Sequence, residues 1–288
     1  MLFGIHTIIS IGGCLTLIIT ELSSLGIVMV GDTAQTVDSV TPRGTMQDRA
    51  FFGLIKVLPV QMLQAGVSYW GWAKMPPDDD NGRWMDWWLQ DFIDRRRNEY
   101  NTLYDFAQLL ETELRELVPQ LSVEELREAP SGNGGIHLAG FVNVGRTREP
   151  CFWHIHNGQS QALPRRRIDP RVVNANFDCP SLRFRQLSRL GQSHVTRNGD
   201  IEAYVTFFEG HFTDYVRELN ERLQIVMPLP TLGHRAEFWS AQIKFISALY
   251  EVGGVIENGV VRQMTKGIGD QVTTLTIASG GIRSYYTR

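Results

Sequence analysis

The sequence predicts an α+β fold in which blocks of antiparallel strands are separated by groups of helices. Two β-rich runs near the N-terminus flank a short turn that contains Gly26, which is typical of a hairpin. Two amphipathic helical patterns follow, then more strands, more helical patterns and a terminal β-hairpin. Single strands and single helices do not alternate along the chain, so a parallel sheet built from βαβ units is not expected.

The first half of the chain contains four predicted strands and two predicted helices. Val, Ile and Thr dominate the first two strands and favour a pleated surface. Residues 37–50 are polar and contain Pro42 and Gly44, so they are predicted to be a loop. A threonine, Thr102, is placed to cap the second helix. The predicted strands are 14–20, 27–31, 51–60 and 62–69, and the helices are about 84–98 and the segment from Thr102 to Leu117.

The second half of the chain contains strands, then helices and then strands again. Gly145 and Arg146 join the first two strands, and a Ser-Gly-Gly turn at 279–281 joins the last two. The predicted strands are 136–144, 150–156, 271–278 and 282–286, and the predicted helices are 181–190, 199–226 and about 233–251.

Composition limits the classes of partner. The chain has 288 residues, of which 43% are apolar and 20% charged, enough to bury a core of good size. A net charge of −3 gives no reason to expect binding to nucleic acid or to an anionic membrane. The three cysteines, Cys14, Cys151 and Cys179, form neither a disulfide framework nor a zinc pattern. A reducing compartment, the cytoplasm, is therefore expected.

The first twenty residues are apolar and almost uncharged, which leaves two interpretations. The stretch Ile11-Gly12-Gly13-Cys14 loosely matches a lipoprotein processing site, and the protein would then be exported and acylated at Cys14. However, no Lys or Arg precedes the apolar run, as a secretory signal requires. The preferred interpretation is that residues 1–13 are a short propeptide or an extra strand.

Four polar side chains stand out against apolar surroundings in the first sixty residues. Cys14 and Thr16 share one face of the first strand because side chains alternate with a period of two. Asp32 ends the partner strand, and its alternative role is a local turn hydrogen bond. Lys56 is the one charge in an apolar run, where an unpaired lysine is costly. Its alternative role is to protect an edge strand from pairing.

These residues resemble the start of proteasome β subunits, a family of N-terminal nucleophile (Ntn) hydrolases. The matching pieces are Gly13-Cys14, the run from Gly26 to Gly31, and Asp32-Thr33-Ala34-Gln35-Thr36, although the family usually has Arg where this chain has Ala34. Gly267-Ile268-Gly269-Asp270 is similar to the glycine-rich entry to the family's last hairpin. The resemblance implies a four-layer αββα sandwich formed by one domain, residues 14–288.

The resemblance also implies a reaction, amide or peptide-bond hydrolysis by a nucleophile that self-cleavage after Gly13 would free. Cys14 is the first choice because it follows Gly13. Thr16 is the alternative nucleophile, because its sixteen-residue distance to Asp32 matches the family. Lys56 and Asp32 would tune the nucleophile, and the backbone of Gly66, or equally of Gly71, would stabilise the oxyanion. A peptide or small amide substrate and a homo-oligomer, as in a ring, are expected, with neither cofactor nor metal.

A catalytically inactive assembly subunit is the alternative function. The family's later serine and aspartate have no clear match, and Thr265 stands where an acid is expected. A different chemistry, metal binding, is suggested by His154 and His156, which share one strand face, but an outward polar face is the default interpretation.

Overall fold

A computed structural model describes residues 16–40, 46–72, 74–75, 83–120, 134–157, 181–183, 193–199, 208, 212–224, 229–252, 254–257, 260–263 and 268–288. Within these residues the protein is a mixed α+β structure with antiparallel sheets. The helices are α1 Met85–Arg95, α2 Leu103–Leu117, α3 Thr213–Leu223 and α4 Leu232–Val252. The strands are β1 Leu17–Ser23, β2 Gly26–Asp32, β3 Ala34–Val40, β4 Met46–Phe52, β5 Val57–Val60, β6 Ala65–Trp70, β7 Lys74–Met75, β8 Arg83–Trp84, β9 Gly135–Val144, β10 Thr147–His156, β11 Ser181–Arg183, β12 His194–Gly199, β13 Gly254–Glu257, β14 Val260–Gln263, β15 Val272–Ala278 and β16 Gly281–Thr287.

Two five-stranded antiparallel sheets make up most of the described β structure. The first sheet has the order β12-β1-β2-β15-β16, and the second has the order β11-β10-β9-β6-β5. The N-terminal hairpin therefore lies inside the first sheet, with β12 on one side and β15 on the other. Two-stranded ribbons are formed by β3 with β4, β7 with β8, and β13 with β14.

Three apolar clusters show which faces of the sheets are covered. The outer face of the second sheet packs on α1 and α2, for example through Val67 and Phe106. The outer face of the first sheet packs on α4, for example through Val30 and Ile243. The third cluster, which includes Met29 and Leu275 from the first sheet, joins them to residues of the second sheet. The inner faces of the two sheets therefore face each other across a shared interface.

The local sequence explains the best-defined elements. Thr102 caps α2 through a capping box in which its hydroxyl accepts from the Asp105 N–H and the Asp105 carboxylate accepts from the Thr102 N–H. The predicted helices at 84–98, after Thr102 and at 233–251 are confirmed as α1, α2 and α4. The predicted N-terminal, central and C-terminal hairpins are confirmed as β1–β2, β9–β10 and β15–β16, with residues 14 and 15 outside the described part of the chain.

Three predictions of secondary structure were wrong. Residues 34–40 and 46–52 pair as the β3–β4 ribbon, where a loop was expected at 37–50. A ribbon outside the main sheets need not present a continuous apolar face, so its sequence lacks the usual alternation. Residues 181–183 are a strand and not a helix, and the rest of the predicted helix at 181–190 lies outside the described residues. In the predicted helix at 199–226, Gly199 belongs to β12 and α3 covers Thr213–Leu223, while residues 200–207 and 209–211 lie outside the described part of the chain.

Among the described residues, none of the helices combines the length and hydrophobicity needed to cross a lipid bilayer.

Candidate functional site

Lys56 lies in the irregular segment between β4 and β5 and is completely buried. Its ammonium group contacts three oxygen acceptors: Thr16 Oγ1 at 2.8 Å, Asp32 Oδ1 at 2.9 Å and the Ala34 carbonyl oxygen. An ammonium group has three N–H bonds, so these contacts use its full donor capacity. Full burial excludes the alternative role of an exposed lysine on an edge strand.

Asp32 ends β2 and accepts hydrogen bonds from several parts of the chain. Its Oδ1 accepts from the Leu17 N–H at 2.9 Å, and its Oδ2 accepts from the N–H groups of Ala34 at 3.0 Å and Gly269 at 3.1 Å. The bond to Ala34 is the local turn interaction considered from the sequence, and it coexists with the ion pair to Lys56. Asp32 therefore ties the start of β1, the start of β3 and the segment before β15 to one carboxylate.

Thr16 directly precedes β1 and is also completely buried. Its hydroxyl oxygen accepts a hydrogen bond from the Lys56 ammonium, while the backbone N–H of the next residue, Leu17, donates to Asp32 Oδ1. Thr16, Asp32 and Lys56 therefore form one connected group of side chains from three separate segments. Cys14, the first-choice nucleophile, lies outside the described residues.

Gly199 brings a second backbone segment against Thr16, a feature that the sequence analysis missed. Gly199 is the last residue of β12 and pairs with Leu17. A Cβ atom at this position would lie 1.5 Å from the Thr16 carbonyl oxygen, and the φ angle of +107° favours glycine. A non-glycine residue would therefore displace Thr16. The Asn-Gly dipeptide at 198–199 was the available sequence signal.

The two glycines considered for the oxyanion occupy different places. Gly66 lies within β6 between Pro59 and Ala139, and a Cβ there would clash with side chains of the inter-sheet core. Gly71 follows the other end of β6 and has a φ of +89°. The N–H of Tyr69, near that end, bonds to the Lys56 carbonyl oxygen at 3.3 Å. The end of β6 that precedes Gly71 therefore adjoins Lys56. Gly66 lies near the opposite end of β6, away from Lys56.

A second buried polar group crosses between the sheets at His137 of β9. Its Nδ1 lies 2.9 Å from Thr20 Oγ1 on β1, and its Nε2 lies 2.6 Å from Asn198 Oδ1 on β12. Burial lowers the pKa of His137 to about 4, so the imidazole is neutral at neutral pH. The order hydroxyl, imidazole, amide resembles a hydrolytic triad, but Thr20 lies in the middle of β1 and its hydroxyl is held between the two sheets by His137.

His154 and His156 lie beside His137 on the same face of the second sheet. The ring of His154 is centred 5.0 Å from that of His137 and 4.2 Å from that of His156. Desolvation lowers the pKa of His154 to about 2, and the neighbouring imidazoles add to the effect. Within the described part of the chain, His, Cys, Asp and Glu residues do not form a group of three or more that is arranged to hold a metal ion.

The sequence matches neither a protein-family model nor a curated protein. The geometry of Thr16, Asp32 and Lys56 determines which chemistry this group of side chains can support. A buried ammonium beside a hydroxyl stabilises negative charge on that oxygen, because the low-dielectric surroundings strengthen the interaction. This arrangement is chemically able to support a Thr16 Oγ1 that carries negative charge.

Proposed function

We propose that this protein is an Ntn hydrolase similar to proteasome β subunits, with Thr16 as its nucleophile. The single observation that carries the proposal is the contact of the buried Lys56 ammonium with both the Thr16 hydroxyl and the Asp32 carboxylate. The same sixteen-residue spacing from Thr16 to Asp32 supported Thr16 in the sequence. We prefer Thr16 to Cys14 as the nucleophile because the Thr16 hydroxyl contacts the buried Lys56 ammonium, which can stabilise negative charge on its oxygen. Cys14 lies outside the described residues.

The layered packing supports the proposed fold. Helices cover the outer face of each sheet, and the inner faces meet in a third apolar cluster. This is the arrangement expected of a four-layer αββα sandwich. We propose that the sandwich is formed by one domain, with Thr16 at the end of the inter-sheet interface where β1 begins.

The proposed reaction begins with cleavage of the Leu15–Thr16 peptide bond. Thr16 Oγ1 attacks the Leu15 carbonyl, the amide nitrogen leaves with a proton, and water hydrolyses the resulting ester. The freed α-amine of Thr16 then serves as general base for the hydroxyl of the same residue. In each turnover a substrate amide acylates Thr16, its amine product leaves, and water hydrolyses the acyl-enzyme.

The other groups have distinct roles in this proposal. Lys56 stabilises developing negative charge on Thr16 Oγ1, and Asp32 holds Lys56 and the Leu17 backbone in place. The N–H of Gly71 is the proposed oxyanion donor, since Gly71 directly follows the end of β6 that adjoins Lys56. The proposal needs neither a cofactor nor a metal, and it includes a homo-oligomer and a cytoplasmic location as suggested by the family resemblance.

An uncleaved assembly subunit is the alternative function, and the complete burial of Thr16 in the full-length chain favours it. The two functions differ in their dependence on Thr16.

The test uses the full-length wild type with the variants Thr16→Ala, Thr16→Ser and Cys14→Ala, incubated with a mixture of peptidyl coumarin amides. The proposal predicts release of coumarin by the wild type, Thr16→Ser and Cys14→Ala. Loss in Thr16→Ala alone supports it, whereas loss in Cys14→Ala with full activity in Thr16→Ala assigns the nucleophile to Cys14. Equal release by wild type and Thr16→Ala would reject the mechanism.

A further inference from the structure

Three polar side chains on the inner face of the second sheet have buried polar atoms without a hydrogen-bond partner among the described residues. They are Ser68 and Trp70 of β6 and His154 of β10, and we name them the polar trio. The unpartnered atoms are Ser68 Oγ, Trp70 Nε1 and His154 Nε2. A buried polar atom without a hydrogen bond destabilises the fold unless a ligand or a water molecule satisfies it. Three of them on one sheet face indicate a place built to hold a polar group.

The strand register places the polar trio on one face. Gly66 faces Met29 and Leu275 in the inter-sheet core, so Ser68 and Trp70, two and four residues later, share that face. Across the sheet Ser68 pairs with His137, and His137 pairs with His154. The Trp70 and His154 rings are centred 6.0 Å apart. The polar trio therefore surrounds His137 on the wall that faces the first sheet.

The polar trio lies toward the Thr16 end of the inter-sheet interface. The bond between Thr20 and His137 aligns the middle of β1 with the row that contains Ser68 and His154. Leu22 lies farther from Thr16 along β1 and packs in the apolar cluster that contains Ala139 and Phe152. From Thr20 toward Thr16, β1 therefore runs along the second sheet away from Ala139. That direction leads to the row of Trp70, which directly precedes Gly71. A substrate side chain entering beside Thr16 would therefore meet this wall.

The donor and acceptor chemistry of the polar trio restricts the group it takes. Trp70 Nε1–H is a donor only, so the ligand must supply an acceptor. A neutral imidazole nitrogen and a hydroxyl accept or donate according to tautomer and rotamer, so they also suit a ligand that carries a donor. A primary carboxamide offers both a carbonyl oxygen and an NH₂ group.

A carboxylate fits less well, because a buried anion needs a cation. Lys56 is beside the site, but its N–H groups are all used by Thr16, Asp32 and Ala34. The low pKa values of His137 and His154 keep both imidazoles uncharged. A neutral amide avoids the cost of burying an unpaired charge.

From these contacts we infer that Ser68, Trp70 and His154 form a substrate subsite for a primary carboxamide, as carried by glutamine or asparagine. The inference rests on the proposed function, since it names the substrate class of that site. Loss of one hydrogen bond to the substrate predicts about a tenfold fall in kcat/KM for an amide-bearing residue, and little change for leucine.

The test uses the full-length protein and peptidyl coumarin amides that differ only in Gln, Glu or Leu beside the scissile bond. We expect the wild type to prefer Gln, and Ser68→Ala, Trp70→Phe and His154→Phe to reduce the Gln-to-Leu ratio about tenfold. Trp87→Phe and His234→Phe are matched controls on exposed positions and should keep the wild-type ratio. A preference for Glu or Leu, or a ratio unchanged in all three variants, would overturn the inference.

A binding experiment separates failure of the subsite from failure of the hydrolase. N-acetylglutamine N-methylamide should shift the indole N–H resonance of Trp70, assigned with Trp70→Phe, and N-acetylleucine N-methylamide, which has no primary carboxamide, should not. Such a shift without Thr16-dependent turnover supports the subsite and rejects the hydrolase. Thr16-dependent turnover without the shift rejects the subsite alone, and absence of both rejects both.

Discussion

The N-terminal hairpin carries two buried carboxylates whose partners differ in kind. Glu21, on the outer face of β1, pairs with Arg235 of α4 and accepts at 2.7 Å from the indole N–H of Trp239. Asp32 pairs with Lys56 and also accepts from three backbone N–H groups. The first pair depends on side chains that join a helix to a sheet. The second carboxylate is held largely by backbone, while its lysine also contacts the Thr16 hydroxyl.

This difference separates a structural ion pair from a functional one. An arginine guanidinium suits the joining of two elements, because it is planar and presents several donors in a fixed arrangement. A lysine ammonium is a compact charge that directs its N–H bonds to acceptors around it. We therefore expect the loss of Lys56 to affect chemistry more than folding, and the loss of Arg235 to do the reverse.

The largest expected effect is on processing in Lys56→Met. Removing the ammonium takes away the charge beside Thr16 Oγ1, and cleavage before Thr16 should slow by about 10²–10³-fold. Its free energy of unfolding should fall less than that of Arg235→Met, because Asp32 keeps three backbone donors. Mass spectrometry of the purified variant over time measures the cleavage, and urea denaturation measures the stability. Processing at the wild-type rate would refute the role given to Lys56.

Arg235→Met tests the other member of the comparison. Glu21 is completely buried and would lose its cationic partner, which typically costs about 3–5 kcal/mol of stability. Arg217→Met, which breaks an exposed pair with Asp214, is the control and should cost less than about 1 kcal/mol. Urea denaturation provides both values. Equal losses in the two variants would mean that the Glu21 pair does not stabilise the docking of α4.

Gly199→Ala examines the backbone contact at Thr16. Both Gly199 and Gly145 have positive φ angles, but a Cβ at Gly145 would have open space around it. Gly145→Ala should therefore lose about 1 kcal/mol through backbone strain alone. Gly199→Ala should lose more stability and should also slow processing, since the added carbon meets the Thr16 carbonyl. Thermal denaturation and intact mass are the measurements, and identical behaviour of the two variants would contradict the contact.

The last prediction concerns the pH dependence of stability that follows from the burial of His137. The pKa of His137 is about 4 in the folded protein and about 6.5 in an unfolded chain. As pH falls from about 6.5 to about 4, the unfolded state binds a proton that the folded state does not, so stability falls. The variant His137→Leu should lose stability at neutral pH but show a shallower decline over this interval. Parallel curves of urea midpoint against pH would contradict this assignment.

Sequence patterns predicted the parts of the fold where local rules dominate. The cap at Thr102 and the β-rich runs and glycine-containing turns of the hairpins depend on neighbours in the chain, and both were found. The β3–β4 ribbon was missed because its polar residues resemble a loop. The bond between Thr20 and His137 joins residues 117 positions apart, so local patterns carry no trace of it.

The candidate site was predictable to the extent that burial made its residues conspicuous. Lys56 was recognisable as a charge in an apolar run, and the cost of burying it alone predicted that it would be paired. The association with Asp32 was implied by the family resemblance. The choice between Gly66 and Gly71 required the strand register. Gly199 approaches Thr16 from a segment more than 180 residues away, a proximity that only the folded chain provides.

The most direct test of the central claim is the intact mass and N-terminal sequence of the purified full-length protein, beside Thr16→Ala. The account predicts that the wild-type chain begins at Thr16 and that the variant keeps residues 1–15. A wild-type chain that begins at Cys14 would move the nucleophile to that residue. A wild-type chain that keeps residues 1–15 would contradict the proposed chemistry and favour an assembly subunit.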